Sequence, residues 1–371
     1  MLDSIGLSNF KAFQQIALPL SKLTLLAGWN SSGKSTVLQA VAALRQSHEA
    51  GLLATEGLLL NGPYVELGTG RDVLHEDHAP SCGAQEISIR TGSSGGLVER
   101  TFRYSPESDL LGYATPATGD GRPAAESFLT GGFQFLHAER VGPAAHYPRS
   151  HRTVGADHAL GVKGEHTANY LRVHQGDEVD DRRRAPDSAG TRLMDQVSAW
   201  MRRISPGVNL EVTSLENTDL FSLSYGHHGT VGLSSTNRRR ATNVGFGLTY
   251  TLPLVVAALA SAPGSLLLVE HPEAHLHPRG QAAMAHLLVV AARSGVQTLV
   301  ESHSDHFLNG LRVAVKRGVL RPADVRIHFF GRGNGEAVGV ASPVIGAEGM
   351  LSEWPLGFFD EWDRALAALL G

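Results

Sequence analysis

The 371-residue sequence has a single cysteine, Cys82, which excludes an internal disulfide and any zinc site built from several cysteines. Aromatic residues make up only 6%, and neither sign of charge dominates, because 32 Lys and Arg stand against 36 Asp and Glu for a net charge of −4. This balance argues against a polycation, so a nucleic-acid surface would have to be a local patch. With 42% apolar residues, the chain is nonetheless predicted to form a substantial core.

Segments that direct a chain to or across a membrane are also missing. The first ten residues have neither a basic stretch nor an apolar one after it, which predicts no signal peptide. Residues 241–269 carry no charged side chain, but Pro253, Pro263 and Gly264 divide them into a predicted helix, a turn and a strand. We therefore expect no membrane span, and the lone cysteine favours a cytoplasmic protein.

Strand-like and helix-like segments alternate at both ends of the chain. Residues 22–27 are almost continuously apolar, as in a central strand, and an apolar stripe predicts a helix over 34–45. In the last third, strands are predicted at 265–270, 297–301 and 325–330, and helices at 247–262, 279–293 and 305–316. This rhythm predicts an α/β fold with a mainly parallel sheet covered by helices on both faces.

The middle of the chain, about residues 50–240, has a weaker pattern. Alternation predicts strands at 86–90, 98–104 and 220–225, and an amphipathic helix is predicted at 191–204. Residues 177–187 combine acids, three arginines and a proline, which predicts an exposed loop.

The strongest motif matches G-x-x-x-x-G-K-[ST] between a predicted buried strand and an amphipathic helix. It consists of Gly28, Trp29, Asn30, Ser31, Ser32, Gly33, Lys34 and Ser35, followed by Thr36. The glycines permit a tight loop whose N–H groups wrap a phosphate at the positive end of the helix. Lys34 can place a positive charge between β- and γ-phosphates, and the Ser35 hydroxyl can bind Mg²⁺. In this context a chance glycine-rich turn is the weaker explanation, and the segment predicts nucleotide binding.

Acidic and histidine side chains follow two further predicted strands. Glu270 ends an apolar run, at the strand terminus where parallel sheets bind ligands, so it is predicted to hold Mg²⁺ directly or through water. Glu273 is a candidate for a place near the attacking water, or else an acid at a helix N-terminus. His303 follows the strand at 297–301 and is predicted to donate a hydrogen bond to a γ-phosphate.

Three histidines beside Glu270 leave a metal site open. His271, His275 and His277 do not form H-E-x-x-H, because position 272 is proline and Glu273 is not adjacent to His271. On a helix, His275 and His277 would point away from each other, so packing after the strand is favoured over zinc binding. A histidine-dependent metallohydrolase is the alternative from another class.

Glycines also open the predicted helix before Glu270. Gly245, Phe246 and Gly247 would leave backbone N–H groups exposed at the helix start, which suits an anion. Close helix packing is the alternative explanation.

Taken in order, these motifs resemble the ABC-type ATPases of the RecF/SMC-like branch of AAA-type proteins, close to the overcoming-lysogenization-defect (OLD) family. The resemblance lies in residues 7–13 (LSNFKAF) with the phosphate loop, 244–247 at the place of the ABC signature, 270–278 (EHPEAHLHP) at Walker B, and 301–304 at the switch histidine. Residues 135–143, 161–165 and 354–360 resemble a bacterial subgroup with a C-terminal domain of unknown function. The sequence has no coiled-coil heptads, so the long arms of chromosome-maintenance ATPases are absent.

The resemblance implies a Mg²⁺-dependent ATPase whose two protomers sandwich two ATP molecules head to tail. Residues 28–36 and Glu270 of one protomer would face Gly245–Gly247 of the other. It also implies a partner, either DNA or a separately encoded nuclease or effector, in phage defence or DNA repair. Residues 182–184 and 238–240, each three arginines, are candidate DNA contacts, although such charge runs are more often solvated loops.

Departures from the family pattern bear on the activity. The pattern has a second acid after Glu270 as general base; here that position is His271, so either Glu273 substitutes or hydrolysis is slow. The usual Leu-Ser-Gly-Gly-Gln is absent from the signature segment. Gln134, before Arg140, is the candidate for the Q-loop. The residues after His303 are too few for an OLD-type nuclease domain. A nucleotide-binding switch with little hydrolysis is therefore the first alternative.

The expected fold is an ABC-type ATPase head, with a mixed, mainly parallel sheet flanked by helices, an antiparallel β subregion and a helical insertion. The motif order divides it into four parts: 1–150 with Walker A and the β subregion, 151–240 as the helical and β insertion, 241–345 with the signature-like, Walker B and switch-histidine segments, and 346–371 as a tail motif.

Overall fold

The computed structural model describes residues 1–77, 85–114, 126–227, 238–332, 338–355, 357–359 and 361–370. Cys82 and two positions of the tail motif, 356 and 360, lie outside the described residues. The strands are β1 (Leu2–Phe10), β2 (Phe13–Pro19), β3 (Leu23–Gly28), β4 (Gly57–Leu59), β5 (Glu86–Ser93), β6 (Gly96–Arg103), β7 (Leu110–Gly112), β8 (Phe133–Leu136), β9 (Tyr147–Pro148), β10 (Val208–Ser214), β11 (Leu220–His227), β12 (Arg239–Arg240), β13 (Leu266–Glu270), β14 (Gln297–Glu301), β15 (Val325–Arg332) and β16 (Val338–Ala341).

The α-helices are α1 (Lys34–Glu49), α2 (Gly70–Val73), α3 (Ser127–Thr130), α4 (Thr167–His174), α5 (Leu193–Ile204), α6 (Phe246–Ala260), α7 (Pro278–Arg293), α8 (Asp305–Lys316) and α9 (Glu361–Leu370). The helices and strands expected in the last third of the chain are all present, with ends within two residues of the prediction. In the described part of the chain, no helix combines the length and the apolar composition needed to cross a membrane.

Internal contacts divide the chain into two compact units. The first comprises Met1–Gly132, Ala323–Ile345 and Leu351–Gly371, and the second comprises Phe133–Pro322 and Gly346–Met350. The four-part division expected from the motif order stays a prediction.

The first unit contains the antiparallel subregion that the sequence predicts. Its strands lie in the order β2-β1-β5-β6, and each neighbouring pair is antiparallel. Along β1, the apolar residues Leu2, Ile5, Leu7 and Phe10 are buried. One face of this sheet therefore packs in the core, as is usual for antiparallel sheets.

The first unit also carries the strand that leads to the phosphate loop. All six residues of β3 are buried, and β3 pairs in parallel with β15, from Leu23 opposite Val325 to Gly28 opposite Phe330. Strand β16 adds an antiparallel edge to β15. Because β3 is buried along its length, it presents its carboxyl end, and the loop after it, at a fixed position.

The second unit contains a parallel arrangement around β13. This strand pairs in parallel with β14 on one side and with β8 on the other, and four of its five residues are buried. Helices α6 and α7 connect and cover these strands; α6 is buried from Leu248 to Leu259. The parallel pairs with helical connections confirm the expected mixed, mainly parallel α/β fold.

A smaller antiparallel sheet and the helices α4, α5 and α8 complete the described part of the second unit. Strands β10, β11 and β12 pair in order, and β9 also pairs with β11. Helix α5 buries Trp200, whose indole donates a hydrogen bond to the Arg183 carbonyl.

The expectation of an exposed loop over 177–187 is wrong at its centre. Residues Asp181–Arg183 form a short 3-10 turn, and Arg183 is buried. Its guanidinium donates to the carbonyls of Ala258 and Ser261, which are acceptors at the end of α6. The arginine therefore caps a helix, an interaction that a local charge pattern does not reveal.

Candidate functional site

The phosphate loop, defined here as residues 28–33, is shaped by its glycines. Gly28 has φ +136°, and a Cβ there would overlap the Phe330 carbonyl oxygen. Gly33 has φ +92°, and a Cβ there would lie 2.7 Å from the Cβ of Ala12. Both positions thus combine a backbone conformation that favours glycine with no room for a side chain.

Hydrogen bonds from within the loop fix its path. The N–H of Trp29 donates to the Phe330 carbonyl over 3.1 Å, and the Ser32 hydroxyl donates to the Trp29 carbonyl over 2.7 Å. Helix α1 then begins at Lys34, so the N–H groups of its first turn adjoin the loop. These features are the backbone cradle that the motif predicts.

The Lys34 ammonium lies inside this loop. The side chain is buried, and Nζ donates to the carbonyls of Gly28 at 3.2 Å and Trp29 at 2.6 Å. Ser35 is half-buried in the first turn of α1, and Thr36 is buried behind it. The loop thus concentrates one buried positive charge and helix N–H groups at a single point, which suits a phosphate.

The remaining loop residues face outward. Trp29, Asn30 and Ser31 are exposed, with Trp29 at 49%, and Ser31 has φ +58°. Beside the Trp29 indole lies Gly357 of the tail, where a Cβ would stand 3.0 Å from Nε1. No local pattern in the sequence signals this contact between the loop and the tail.

Glu270 ends β13, where the sequence places it. Its Oε2 accepts a hydrogen bond of 2.7 Å from the N–H of Ala138, in the segment after β8. The parallel register sets Glu270 directly beside Glu301, the last residue of β14. The carboxylate is therefore oriented by a backbone N–H from a neighbouring strand.

Arg140 connects the segments around Glu270. It is buried, and its guanidinium donates to the carbonyls of Glu270 at 2.6 Å and His271 at 2.7 Å. Further bonds reach the carbonyls of His137 and Tyr250, and the guanidinium lies 4.4 Å above the Tyr250 ring. Burial lowers the pKa of Arg140 to about 10, which leaves it charged at neutral pH. Arg140 thus holds backbone in place rather than presenting a free charge.

Gln134, the Q-loop candidate, is occupied within the second unit. On β8, its amide nitrogen donates to the His158 carbonyl and its amide oxygen accepts from the Leu160 N–H. Its observed partners are therefore residues 158–160, which it anchors; a role toward Mg²⁺ stays a prediction.

Glu273 is engaged by the segment after β14. Its Oε1 accepts from the His303 N–H at 2.7 Å and its Oε2 from the Ser302 hydroxyl at 2.8 Å. Burial alone would raise the pKa of Glu273, but His271 and these hydrogen bonds lower it below the ordinary carboxyl value. The carboxylate is therefore charged at neutral pH and positions the backbone of His303.

His271 lies between two carboxylates. It has φ +45°, and its Nδ1 and Nε2 lie 3.7 Å from Glu273 and 4.0 Å from Glu301, respectively. Its ring stacks on that of His303, with centroids 5.2 Å apart and planes within 10°. Side-chain hydrogen bonding to Glu273, aided by the negative charge of that carboxylate, raises the pKa of His271 above its ordinary value, although burial works against this. Sequence analysis assigned Glu301 no role, although it ends the strand beside Glu270.

The less favoured alternative, a metal site of His271, His275 and His277, does not form in the described part of the chain. Among the described residues, the group that could hold a metal ion is His271 with Glu301 and His303. His275 and His277 also precede the helix rather than lie on it, because α7 begins at Pro278. His277 caps α7 by accepting from the Arg279 N–H. His275 packs on aromatic rings in α6.

The signature-like segment forms the start of α6, with Gly245 as the N-cap. A Cβ at Gly247 would overlap the His275 carbonyl oxygen, so this glycine permits close packing. Phe246 is 45% exposed and lies on Tyr250 and His275. Both explanations considered for the glycines therefore fit: one is needed for packing, and the helix end is accessible.

The two arginine runs differ. Arg182 pairs with Asp180, Arg183 is buried, and Arg184 pairs with Glu178. The prediction that Arg183 contacts DNA is therefore wrong, because its guanidinium is buried and donates hydrogen bonds to carbonyls at the end of α6. Arg238, Arg239 and Arg240 are all exposed, and Arg238 pairs with Glu211.

Family comparisons match both ends of the chain. A family described as "AAA ATPase domain" matches residues 1–71, and one described as "AAA domain, putative AbiEii toxin, Type IV TA system" matches residues 161–309. Residues 320–369, which include the tail motif, match "Protein of unknown function (DUF3696)". No curated protein matches the sequence.

Among solved structures, the chain is similar to an SmcHead bound to the C-winged helix domain of ScpA, at 17% identity and a TM-score of 0.52, over 92% of this chain and 97% of that one. It is also similar to an Smc head domain bound to the C-terminal domain of ScpA derived from Pyrococcus furiosus, at 14% identity and a TM-score of 0.51, over 100% and 99%. The chain thus carries AAA-type ATPase segments on a fold like that of Smc heads, and the AAA matches support ATP binding and hydrolysis.

Proposed function

We propose that the protein is a Mg²⁺-dependent ATPase of the ABC type, in which ATP binding joins two copies head to tail. The observation that carries the proposal is the phosphate loop, with two glycines that admit no side chain and the buried Lys34 ammonium at the start of α1. A loop of this shape concentrates N–H groups and positive charge, which is the chemistry that triphosphates require.

Oxygen donors suited to Mg²⁺ are present in both units. The Ser35 hydroxyl follows Lys34, and the Glu270 carboxylate is oriented by the Ala138 N–H. Hydroxyl and carboxylate oxygens are the ligands that Mg²⁺ prefers, so these residues fit the ion. When bound, Mg²⁺ would neutralise charge on the phosphates during hydrolysis.

The roles of the acids around Glu270 follow from their contacts. Glu273 accepts two hydrogen bonds from residues 302 and 303, so we assign it to positioning His303, with a direct role toward water as a second task. His303 would contact the γ-phosphate as the switch histidine. His271 occupies the position of the general base in the family pattern, and its raised pKa keeps more of the imidazole protonated near neutral pH, where it cannot accept a proton.

This arrangement also favours the second candidate, a nucleotide-binding switch with little hydrolysis. The carboxylate nearest in sequence to Glu270 is already engaged, and the expected general base is a histidine. Both candidates share ATP binding and differ only in turnover.

The dimer and its partners rest on resemblance and on two accessible surfaces. The start of α6, with Phe246 exposed, is the surface that would face the nucleotide of the second copy. Arg239 and Arg240 are exposed and would serve as a local contact for DNA. The similar Smc heads were solved with ScpA domains, so a protein partner is equally in keeping with the fold. A separately encoded nuclease or effector, in phage defence or DNA repair, is the partner that we propose.

Steady-state ATP hydrolysis with Mg²⁺ tests the proposal, with and without double-stranded DNA. We expect Lys34→Ala and Glu270→Gln each to lower turnover at least ~100-fold, because each removes charge that the transition state needs. Lys22→Ala is the matched control, since Lys22 is a surface lysine paired with Asp324. Turnover in Lys34→Ala equal to that of the wild type would overturn the ATPase assignment.

Two further measurements separate the alternatives. ATP binding that depends on Lys34, without turnover, would replace the ATPase with the switch. Light scattering of the wild type with a non-hydrolysable ATP analogue tests the dimer; we expect a doubled mass with the analogue and the monomer mass with ADP, and one mass in both would refute head-to-tail dimerisation.

A further inference from the structure

His271, Glu301 and His303 form a cluster at the ends of β13 and β14. One ligand atom from each lies within 4.8 Å of the others, and among the described residues this is the one such group. Glu301 is only 3% exposed, so its carboxylate is held among imidazoles in a place largely shielded from water. A buried carboxylate is costly unless positive charge or hydrogen bonds compensate it.

Hydrogen bonds fix the backbone at both histidines. The N–H of His271 donates to the Glu301 carbonyl over 2.8 Å, and its positive φ turns the chain sharply after β13. The N–H of His303 donates to Glu273 over 2.7 Å. The two rings are nearly parallel, and the parallel register of β13 and β14 brings the two strand ends that carry the cluster side by side.

The two ring nitrogens of His271 have different neighbours, in a way that suits metal binding. Nε2 points toward Glu301 within the cluster, at 4.0 Å, whereas Nδ1 faces Glu273 at 3.7 Å. Metal-bound histidines commonly donate their other N–H to a carboxylate, which fixes the tautomer and makes the ligand more basic. Glu273 occupies that place.

We propose that His271, Glu301 and His303 bind a divalent transition-metal ion of the Zn²⁺ type. Two imidazole nitrogens and one carboxylate oxygen are a donor set typical of zinc with an open fourth position, whereas Mg²⁺ prefers oxygen ligands alone. Ligand atoms around tetrahedral zinc lie ~3.4 Å apart, given bonds of ~2.0–2.1 Å. The ligand atoms lie within 4.8 Å of one another, so closing the cluster to that size would take side-chain rotations, which we propose accompany metal binding.

The consequence for activity rests on the proposed function. His303 is the residue that we place at the γ-phosphate. If its imidazole coordinates a metal ion, it cannot also contact the phosphate. Metal binding at this cluster and nucleotide hydrolysis therefore exclude each other. Zn²⁺ inhibits hydrolysis, and Mg²⁺ does not displace it from the cluster.

Calorimetric titration of the chelator-treated full chain with Zn²⁺, without nucleotide, tests the site itself. We expect one tight equivalent per chain, lowered at least ~100-fold in affinity by His271→Asn or His303→Asn and ~10-fold by Glu273→Gln. His277→Asn is the matched control, because it lies in the same segment, is exposed, and asparagine also caps helices. Circular dichroism confirms that each variant folds.

Two results would overturn the site: zinc affinity of the His271→Asn, His303→Asn double variant equal to the wild type, or displacement of Zn²⁺ by equimolar Mg²⁺. Turnover is measured separately, in excess Mg²⁺ with added Zn²⁺. If the zinc-free protein does not hydrolyse ATP, the ATPase assignment is refuted but the calorimetric evidence for the zinc site is unaffected. Zinc binding that leaves turnover unchanged would refute the inhibitory role.

Discussion

The phosphate loop and the strand ends around Glu270 are built by different means. In the loop, close backbone packing and short local hydrogen bonds fix the path: two glycines admit no Cβ, and the Trp29 N–H and Ser32 hydroxyl donate to carbonyls. At the strand ends, side chains hold the backbone, as Arg140 does for Glu270 and His271. The first arrangement tolerates changes in side chains that it does not use, whereas the second depends on single charged groups.

The comparison predicts its largest effect at Arg140. Replacing it with alanine removes the guanidinium hydrogen bonds to four buried or half-buried carbonyls, and we expect a loss of ~3–5 kcal/mol in the free energy of unfolding. Chemical denaturation measures this. Arg239→Ala is the control, because it removes an exposed arginine and should cost less than ~0.5 kcal/mol. Equal effects of the two variants would mean that side-chain donors do not hold the strand ends.

Gly28→Ala tests the other half of the comparison. A Cβ would overlap the Phe330 carbonyl oxygen at a position with φ +136°, so we expect a loss of ~3 kcal/mol. Gly51→Ala is a matched control, since Gly51 also has positive φ, +76°, but nothing lies within 4 Å of its Cβ position. It should cost only ~1–2 kcal/mol of backbone strain. If both variants unfold at the same denaturant concentration, close packing does not constrain the loop.

Neighbouring arginines sharpen the point about charged groups. Arg183→Ala removes two hydrogen bonds to carbonyls at the end of α6, and we expect a loss of ~2 kcal/mol. One nitrogen, Nε, is buried without a partner in the part of the chain that the structure describes, so the loss should stay below that of Arg140→Ala. Arg182→Ala breaks only a surface pair with Asp180 and should cost at most ~0.5 kcal/mol. The reverse order in thermal unfolding would contradict the assignment.

The sequence predicts the loop better than the strand ends because the loop's determinants are adjacent in the chain. Residues 28–36 carry the glycines, lysine and helix start together, and the structure has each in its expected place. Ala138 and Glu270 are 132 positions apart, so no local pattern links them. The position of Glu301 beside Glu270 follows from the parallel register, which becomes known only when the strand order is known.

The same reasoning explains the errors in the second unit. A charge-rich segment predicts an exposed loop, yet Arg183 turns inward because α6 ends with unpaired carbonyls nearby. The alternative metal site of three neighbouring histidines rested on closeness in sequence, whereas the observed cluster takes one histidine from each of two strand ends. Local pattern thus identified the residue types of the site but not their partners.

The smallest expected effect is a pH dependence of stability caused by one buried side chain in the strand next to β3. His328 on β15 is fully buried beside β3; its Nε2–H donates to the Pro19 carbonyl and its Nδ1 accepts from the Ser342 hydroxyl, each at 2.8 Å. Burial lowers the pKa of His328 below the ordinary 6.5, with the Pro19 carbonyl opposing and Arg326 assisting.

Because the folded protein resists this proton, the unfolded chain takes it up first as the pH falls below about 6.5. Stability from neutral His328 is therefore complete above that value and lost as the pH falls toward the lowered pKa of the folded state. We expect the denaturation midpoint to fall between pH 7.5 and 5.5 by more in the wild type than in His328→Gln, whose amide preserves one donor and one acceptor. Other histidines titrate in both proteins, so only the difference between the pH slopes of their denaturation midpoints reports on His328. Equal slopes would show that protonation of His328 does not affect stability.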